Sequence, residues 1–222
     1  MTEHIIKTII DSYPDEFRRI HWALFQPGSD LDHVSVQVTA SRLTEGASST
    51  ALAFTKFVSE LWDVNSVVAV EANFRNPCFG ELLGLSSSRS LNAALENPES
   101  AFENIDHSEI FNIQAIKAAG QGDSSRNLSI ELMLENLGLV LGRLKEKYRL
   151  IVVDSPPMIP YVDAKIISEQ VDRSLIVVEA NSTKQQVLEF AINKTKSPRT
   201  NILGLVLNKR ELHIPKWVYK FI

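Results

Sequence analysis

The sequence has little of what marks a specialised chain. It carries one cysteine, Cys78, in 222 residues, which excludes an intrachain disulfide and a metal site built from several cysteines, and favours a reducing compartment. No sign of charge dominates: 23 Lys+Arg against 27 Asp+Glu leave a net charge of −4, too balanced for the phosphate-backbone footprint of a nucleic-acid binder. Long hydrophobic runs are lacking. Leu150 to Val153 and Leu175 to Val178 fall far short of the roughly 18 to 20 residues that cross a bilayer. Glu3, His4 and Lys7 interrupt the apolar residues between Met1 and Ile10, so the N-terminus has neither the h-region nor the cleavage site of a signal peptide. These absences predict a cytoplasmic protein that meets a membrane only peripherally or through a partner. What is present, 44% hydrophobic and 23% charged residues with 9 Gly and 9 Pro, is the composition of an ordinary globular chain, of a length suited to one large α/β domain.

Runs of β-branched and aliphatic residues recur at Val67 to Val70, Leu150 to Val153, Leu175 to Val178 and Ile202 to Leu207. Each predicts a strand buried on both faces. Val34, Val36 and Val38 alternate with Ser35 and Gln37 and predict a further one, so the sheet has at least five strands. The segments between them carry helical period. Ile130, Met133, Leu134, Leu137, Leu141, Leu144 and Tyr148 line one helical face, and Thr183 with Gln186 has capping-box spacing ahead of a helix from about Lys184 towards Lys196. Between Ser86 and Ser129 the pattern breaks into short pieces, such as Leu91 to Leu95 and Phe111 to Ile116, read as an excursion within the domain. Alternating strands and helices imply a mostly parallel sheet with helices on both faces.

After the strand ending near Thr39 comes Ser41-Arg42-Leu43-Thr44-Glu45-Gly46-Ala47-Ser48-Ser49-Thr50, then the helical Ala51-Leu52-Ala53-Phe54. A working phosphate loop, G-x-x-x-x-G-K-[ST], surrounds the β-phosphate with backbone N–H groups, neutralises it with the lysine and ligates Mg²⁺ with the hydroxyl. Here Ser41 takes the first glycine position, Gly46 the second, Ala47 the lysine position and Ser48 the Mg²⁺ position, with Ser49 following. A lysine about 4 Å from a phosphate is worth on the order of 4 kcal/mol at an effective dielectric of about 20, nearly three decades of affinity.

Three further segments follow in order. Val67-Val68-Ala69-Val70-Glu71-Ala72-Asn73-Phe74-Arg75-Asn76-Pro77 resembles the second acidic strand motif, D-x-D-x-R, of bacterial tyrosine kinases. Ile151-Val152-Val153-Asp154-Ser155-Pro156-Pro157 resembles their Walker B, D-x-P-P, and Gly204-Leu205-Val206-Leu207-Asn208-Lys209 their last strand end. Asp15, Arg18 and His21 take the three positions of their oligomerisation helix, E-x-x-R-x-x-R. Over about residues 12–210 the chain is therefore similar to the cytoplasmic kinase domain of capsular and exopolysaccharide co-polymerases, the bacterial tyrosine kinase branch of the Min/Par-like P-loop ATPases. The resemblance implies a three-layer P-loop NTPase-like fold, self-association, and a role in exopolysaccharide assembly and export beside a membrane-embedded chain-length regulator. It divides the chain into an oligomerisation helix region at 1–30, the α/β domain at 31–210 and an aromatic, basic tail at 211–222.

The departures decide what function to expect. Ala47 replaces the Walker A lysine, Glu71 the first aspartate of the second motif and Asn73 the second, and Asn73 cannot take a proton from a tyrosine hydroxyl. Gly46, Ala47, Ser48, Ser49 and Asp154 are thus expected as a vestigial nucleotide and Mg²⁺ site, and Glu71, Asn73 and Asp154 as vestigial catalytic positions. No tight cofactor is expected, only weak Mg·ATP or ADP binding. The family carries several C-terminal tyrosines where this chain has Tyr219 alone, beside Trp217, Lys216 and Lys220. Trp217 and Tyr219, with Asp15, Arg18, His21 and Arg75, are the candidate interface residues, Arg75 equally readable as a solvated surface arginine. The expected function is regulation or scaffolding at the inner face of the membrane through the partner. The rivals are an atypical ATPase or autokinase in which Lys56, Arg42 or a neighbouring subunit's arginine replaces the lysine, and a partition-type positioning protein.

Overall fold

The computed structural model describes residues 2–26, 32–119 and 130–210. Their elements run α1 (Thr2–Ser12), α2 (Pro14–Leu24), β1 (Val34–Ala40), α3 (Ala47–Leu61), β2 (Val67–Glu71), α4 (Phe79–Leu82), α5 (Leu91–Glu96), β3 (Asp106–Ser108), β4 (Ile113–Ile116), α6 (Ile130–Lys145), β5 (Leu150–Asp154), α7 (Asp163–Ser168), β6 (Arg173–Glu179), α8 (Gln185–Thr195) and β7 (Ile202–Asn208). The strands form one sheet in the order β3-β4-β2-β5-β1-β6-β7, parallel except for β3 against β4. This is the three-layer, mostly parallel architecture expected from the sequence.

Val67 to Val70 of β2 and Leu150 to Val153 of β5 are apolar on both faces because each face has its own helical layer, whereas β1 buries the polar Ser35, Gln37 and Thr39 between its valines. Along β2, Val67 and Ala69 point into the layer of α1, α2 and α3 with Phe17, Phe54 and Val58. Val68 and Val70 point the other way, into α5, α6 and α7 with Leu91, Leu137, Leu141 and Tyr148. Of the stripe predicted for α6, Leu137, Leu141, Leu144 and Tyr148 pack there. Ile6, Phe17 and Leu24 of the N-terminal helices share the first core with the sheet.

The sheet exceeds the five-strand minimum read from the sequence, and two sequence expectations, on β7 and on the start of α8, are corrected. The excursion before residue 119 contributes β3 and β4 to the sheet, so there are seven strands among the described residues. β7 is not buried on both faces: it is an outer strand of the sheet, with Leu205 49% and Leu207 65% exposed, because β6 is its one neighbour among the described residues. The capping box ahead of α8 does not form. Lys184 is the N-cap without a side-chain bond, and the Thr183 hydroxyl donates to Glu45 instead. Arg75 is half-exposed and paired within the chain: its guanidinium makes two bonds to Asp163, at 2.7 and 3.1 Å, and lies over Tyr161.

The register brings three functional segments to one edge. Val38 on β1 pairs with Asp154 on β5, and Glu71 on β2 pairs with the same Asp154. The loops leaving β1, β2 and β5 therefore open side by side beyond the carboxyl ends of the parallel strands, where ligands bind in open α/β sheets.

Candidate nucleotide site

The loop from Ser41 to Gly46 leaves β1 and enters α3 through Gly46, whose φ of +94° is costly for any residue with a Cβ. The space beside it is also taken: a Cβ there would lie 2.2 Å from Asn208 Nδ2. Asn208, at the end of β7, donates to the Glu45 carbonyl at 2.8 Å, and Lys209 Nζ donates to the Thr44 carbonyl at 2.7 Å. The loop is further held from within by the Glu45 carboxylate, which is buried. It accepts from the Ser41 hydroxyl at 2.8 Å, from the Arg42 amide at 2.9 Å, and from the Thr183 hydroxyl. Burial alone would raise the Glu45 pKa; these donors hold it below the ordinary value. The loop thus keeps a P-loop-like path, fixed by Glu45, Thr183 and Asn208.

Below it lies a cavity of about 540 Å³ lined by loop residues 42–49 with Asn73, Asn76, Cys78, Ser155, Pro157, Asn208 and Lys209. Ser48 Oγ donates to Asp154 Oδ2 at 2.8 Å, which joins the expected Mg²⁺ pair. Asp154 is fully buried, its Oδ1 has no hydrogen-bond partner, and burial raises its pKa well above normal, with the nearby Glu71 charge adding to the rise against the Ser48 bond. Asn73 is nearly buried and caps its own turn, its Oδ1 accepting from the Asn76 amide at 3.2 Å.

Glu71 does something the motif comparison does not reveal. Its Oε1 accepts from the amides of Cys78 and Phe79, and its Oε2 from the Ala118 amide at 2.8 Å. The side chain ties the loop after β2 to the segment after β4, so the change from aspartate is used structurally. Burial raises its pKa, and the three amides pull against that rise.

The fold implies Mg·nucleotide, and the residues present fit it only on the cation side, through Ser48 and the unpartnered Asp154 oxygen. The phosphate side does not fit. Ala47 has no charge to offer, and the two cations lining the cavity are engaged: Arg42 with Glu45 and with Thr183 at 2.9 Å, and Lys209 with Thr44 and with Glu179 at 3.5 Å. Lys56 is not a substitute. It pairs with Glu60 at 3.0 Å and faces a separate cavity lined by Ile6, Asp11 and Phe111.

The candidate oligomerisation trio is divided. Asp15 and Arg18 form an exposed pair at 2.8 Å, whereas the His21 ring packs between Phe25 and Trp62. Trp217 and Tyr219 lie outside the described residues. Glu45, Thr183, Asn208 and Lys209 are the site residues that sequence reasoning missed, because their partners are more than 100 positions away for Thr183, Asn208 and Lys209.

One prediction follows from the buried acid in the metal-free protein. Folded Asp154 keeps its proton to higher pH than the unfolded chain does, so stability falls as pH rises above the ordinary aspartate range of about 4. Asp154→Asn removes that loss. The variant is expected to be more stable than wild type at pH 7 in urea denaturation, with the advantage shrinking as pH falls towards about 4; a less stable variant at pH 7 would contradict the assignment.

Fold and site together define a P-loop NTPase-like protein. No family model matches the chain. It is similar to the tyrosine-protein kinase ptk of Acinetobacter johnsonii, 24% identical over 189 residues, which cover 85% of this chain and 25% of the relative. It is also similar to the tyrosine-protein kinase CpsD of Streptococcus pneumoniae serotype 4, 26% identical over 106 residues, 48% of this chain and 47% of the relative. The chain thus spans about a quarter to a half of the length of these curated relatives. Among solved structures, the kinase domain of the Escherichia coli tyrosine kinase ETK superposes with a TM-score of 0.75 at 18% identity, covering 89% of this chain and 75% of that one. The MinC:MinD cell division complex of Aquifex aeolicus gives 0.65 at 17% identity, covering 80% of this chain and 69% of that one. The likeness to bacterial tyrosine kinases seen in the motifs therefore extends over most of the chain, and the fold is the one shared with Min-type proteins. No helix among the described residues is long and apolar enough to cross a membrane.

Proposed function

We propose that this chain is a catalytically degraded relative of the bacterial tyrosine kinases that works by binding, as a regulator or scaffold in exopolysaccharide or capsule synthesis and export. In this reading it self-associates and docks at the inner face of the membrane on a membrane-embedded chain-length regulator. The observation that carries the loss of catalysis is the charge state of the loop. Ala47 leaves the lysine position empty of charge, and Arg42 and Lys209 are each held by neighbouring acceptors. Asn73, bound to its own turn, cannot serve as a base for a tyrosine hydroxyl.

A second reading, an atypical ATPase or autokinase, is favoured by one feature: Lys209 Nζ already touches the loop at Thr44 and would need only to exchange that carbonyl for a phosphate. A partition-type role also needs a nucleotide switch. Mass spectrometry after incubation with Mg·ATP, together with a phosphate-release assay, separates these readings. The expected result is unmodified protein and no release above buffer. Phosphate on Tyr219 that is absent in Tyr219→Phe, or ATP hydrolysis abolished by Lys209→Ala, would overturn the scaffold reading.

A further inference from the structure

Cys78 sits where two carboxyl groups, those of Glu71 and Asp154, converge. One ligand atom from each of Glu71, Cys78 and Asp154 lies within 4.8 Å of the other two. Glu71 and Asp154 are neighbours across the β2–β5 ladder, and Cys78 is folded onto them by the bond from its own amide to Glu71.

Proximity alone would make this only a tight corner of the fold. The independent observation is Asp154: a fully buried carboxylate whose Oδ1 is unpartnered, a costly arrangement unless something else binds it. None of the ion pairs among the described residues involves Asp154 or Glu71. Cys78 and Ser48 border the large cavity, which supplies an entry path and room for an outer ligand such as water.

The donor set then selects the cation. A thiol beside two carboxylates is a poor site for Mg²⁺, which takes oxygen ligands in near-ideal octahedra, and a good one for Zn²⁺, which accepts sulfur and oxygen together in a tetrahedron. Bond lengths of about 2.3 Å to sulfur and 2.0 to 2.2 Å to oxygen place neighbouring ligand atoms roughly 3.5 Å apart. Reaching that spacing from separations of up to 4.8 Å takes small side-chain rotations. Glu71 is already oriented by three amides, the kind of outer support that metal-binding carboxylates have.

We propose that Cys78 Sγ, one Asp154 carboxylate oxygen and one Glu71 carboxylate oxygen form a binding site for a thiophilic divalent cation of the Zn²⁺ class, with its open position towards the cavity. Binding releases the thiol proton, and any proton held by the carboxyl pair, to solvent. The site does not depend on the regulator reading: it concerns the cation that replaces Mg²⁺ at this edge of the sheet, whatever the chain docks on.

The test is titration of the metal-free full chain with Cd²⁺, followed by ultraviolet absorption from the thiolate-to-cadmium charge transfer. One equivalent is expected to saturate the band, Zn²⁺ to displace Cd²⁺, and millimolar Mg²⁺ to leave the band unchanged. Cys78→Ser abolishes the band and weakens Zn²⁺ binding at least tenfold by calorimetry; Asp154→Asn keeps the thiol and also weakens binding at least tenfold. A further readout needs no variant: stoichiometric Zn²⁺ protects Cys78 of the wild-type chain from alkylation by iodoacetamide. Absence of the band and of protection at one equivalent would overturn the site, as would Zn²⁺ binding of wild-type strength in either folded variant, since scattered surface histidines bind Zn²⁺ without a thiolate.

Discussion

Replacing Glu71 by alanine is expected to lower the unfolding free energy of the metal-free protein by about 4 kcal/mol, a large part of the roughly 5 to 15 kcal/mol that a domain has. The argument counts donors. The amides of Cys78, Phe79 and Ala118 all end on this carboxylate, the carboxylate is 1% exposed, and each buried donor left without an acceptor costs about 1 to 3 kcal/mol. Glu71→Gln should cost roughly half as much, because its carbonyl oxygen still serves the amides of Cys78 and Phe79 while its NH₂ group opposes the Ala118 amide. Urea denaturation measures both, and hydrogen exchange should show lost protection at 78, 79 and 118. A loss below about 1 kcal/mol for alanine would show that those amides find other acceptors. Because no nucleotide is present in this experiment, the effect separates an anchoring role for Glu71 from a remnant of catalysis.

Gly46→Ala is expected to destabilise by about 2 to 3 kcal/mol, from two separable causes. The backbone φ of +94° costs a non-glycine residue about 1 to 2 kcal/mol. The new methyl group would lie 2.2 Å from Asn208 Nδ2, so Asn208 must withdraw and give up its 2.8 Å bond to the Glu45 carbonyl, worth about 1 kcal/mol net. A double-mutant cycle with Asn208→Ala distinguishes them. The second substitution should cost clearly less in the Gly46→Ala background than alone, since the clash has already broken its bond. Strict additivity would mean that Asn208 and the loop are not coupled.

The sheet's centre was legible because a strand covered on both sides must be apolar at successive positions, as Val67 to Val70 and Leu150 to Val153 are, while Val34, Val36 and Val38 show the alternation of a strand. β3 and β4 were not, because Asp106–Ser108 and Ile113–Ile116 are too short for a period to develop and turn residues surround them. β7 reads like an interior strand although it is an outer one, since composition does not record how many neighbours a strand has. In the candidate site, Ser48 and Asp154 were found through their motifs and do meet. The role of Glu71 was hidden by the comparison that found it: beside an expected aspartate it looks like damaged chemistry, whereas its three amide partners lie 7, 8 and 47 positions away. Thr183 carried a local signal, the capping-box spacing, that a tertiary bond to Glu45 overrides. Asn208 and Lys209 were matched only as a strand end, with no sign of the loop, because only the folding of β7 beside β6 brings them to it.

Loss of the loop lysine is the central claim, and titration calorimetry with Mg·ATP tests it most directly. Wild-type protein is predicted to bind in the millimolar range or not measurably, as the absence of about 4 kcal/mol of phosphate attraction requires. Ala47→Lys should improve affinity by at least tenfold if the backbone cradle held by Glu45 and Asn208 is competent. Micromolar binding of Mg·ATP by the wild-type chain would contradict the account.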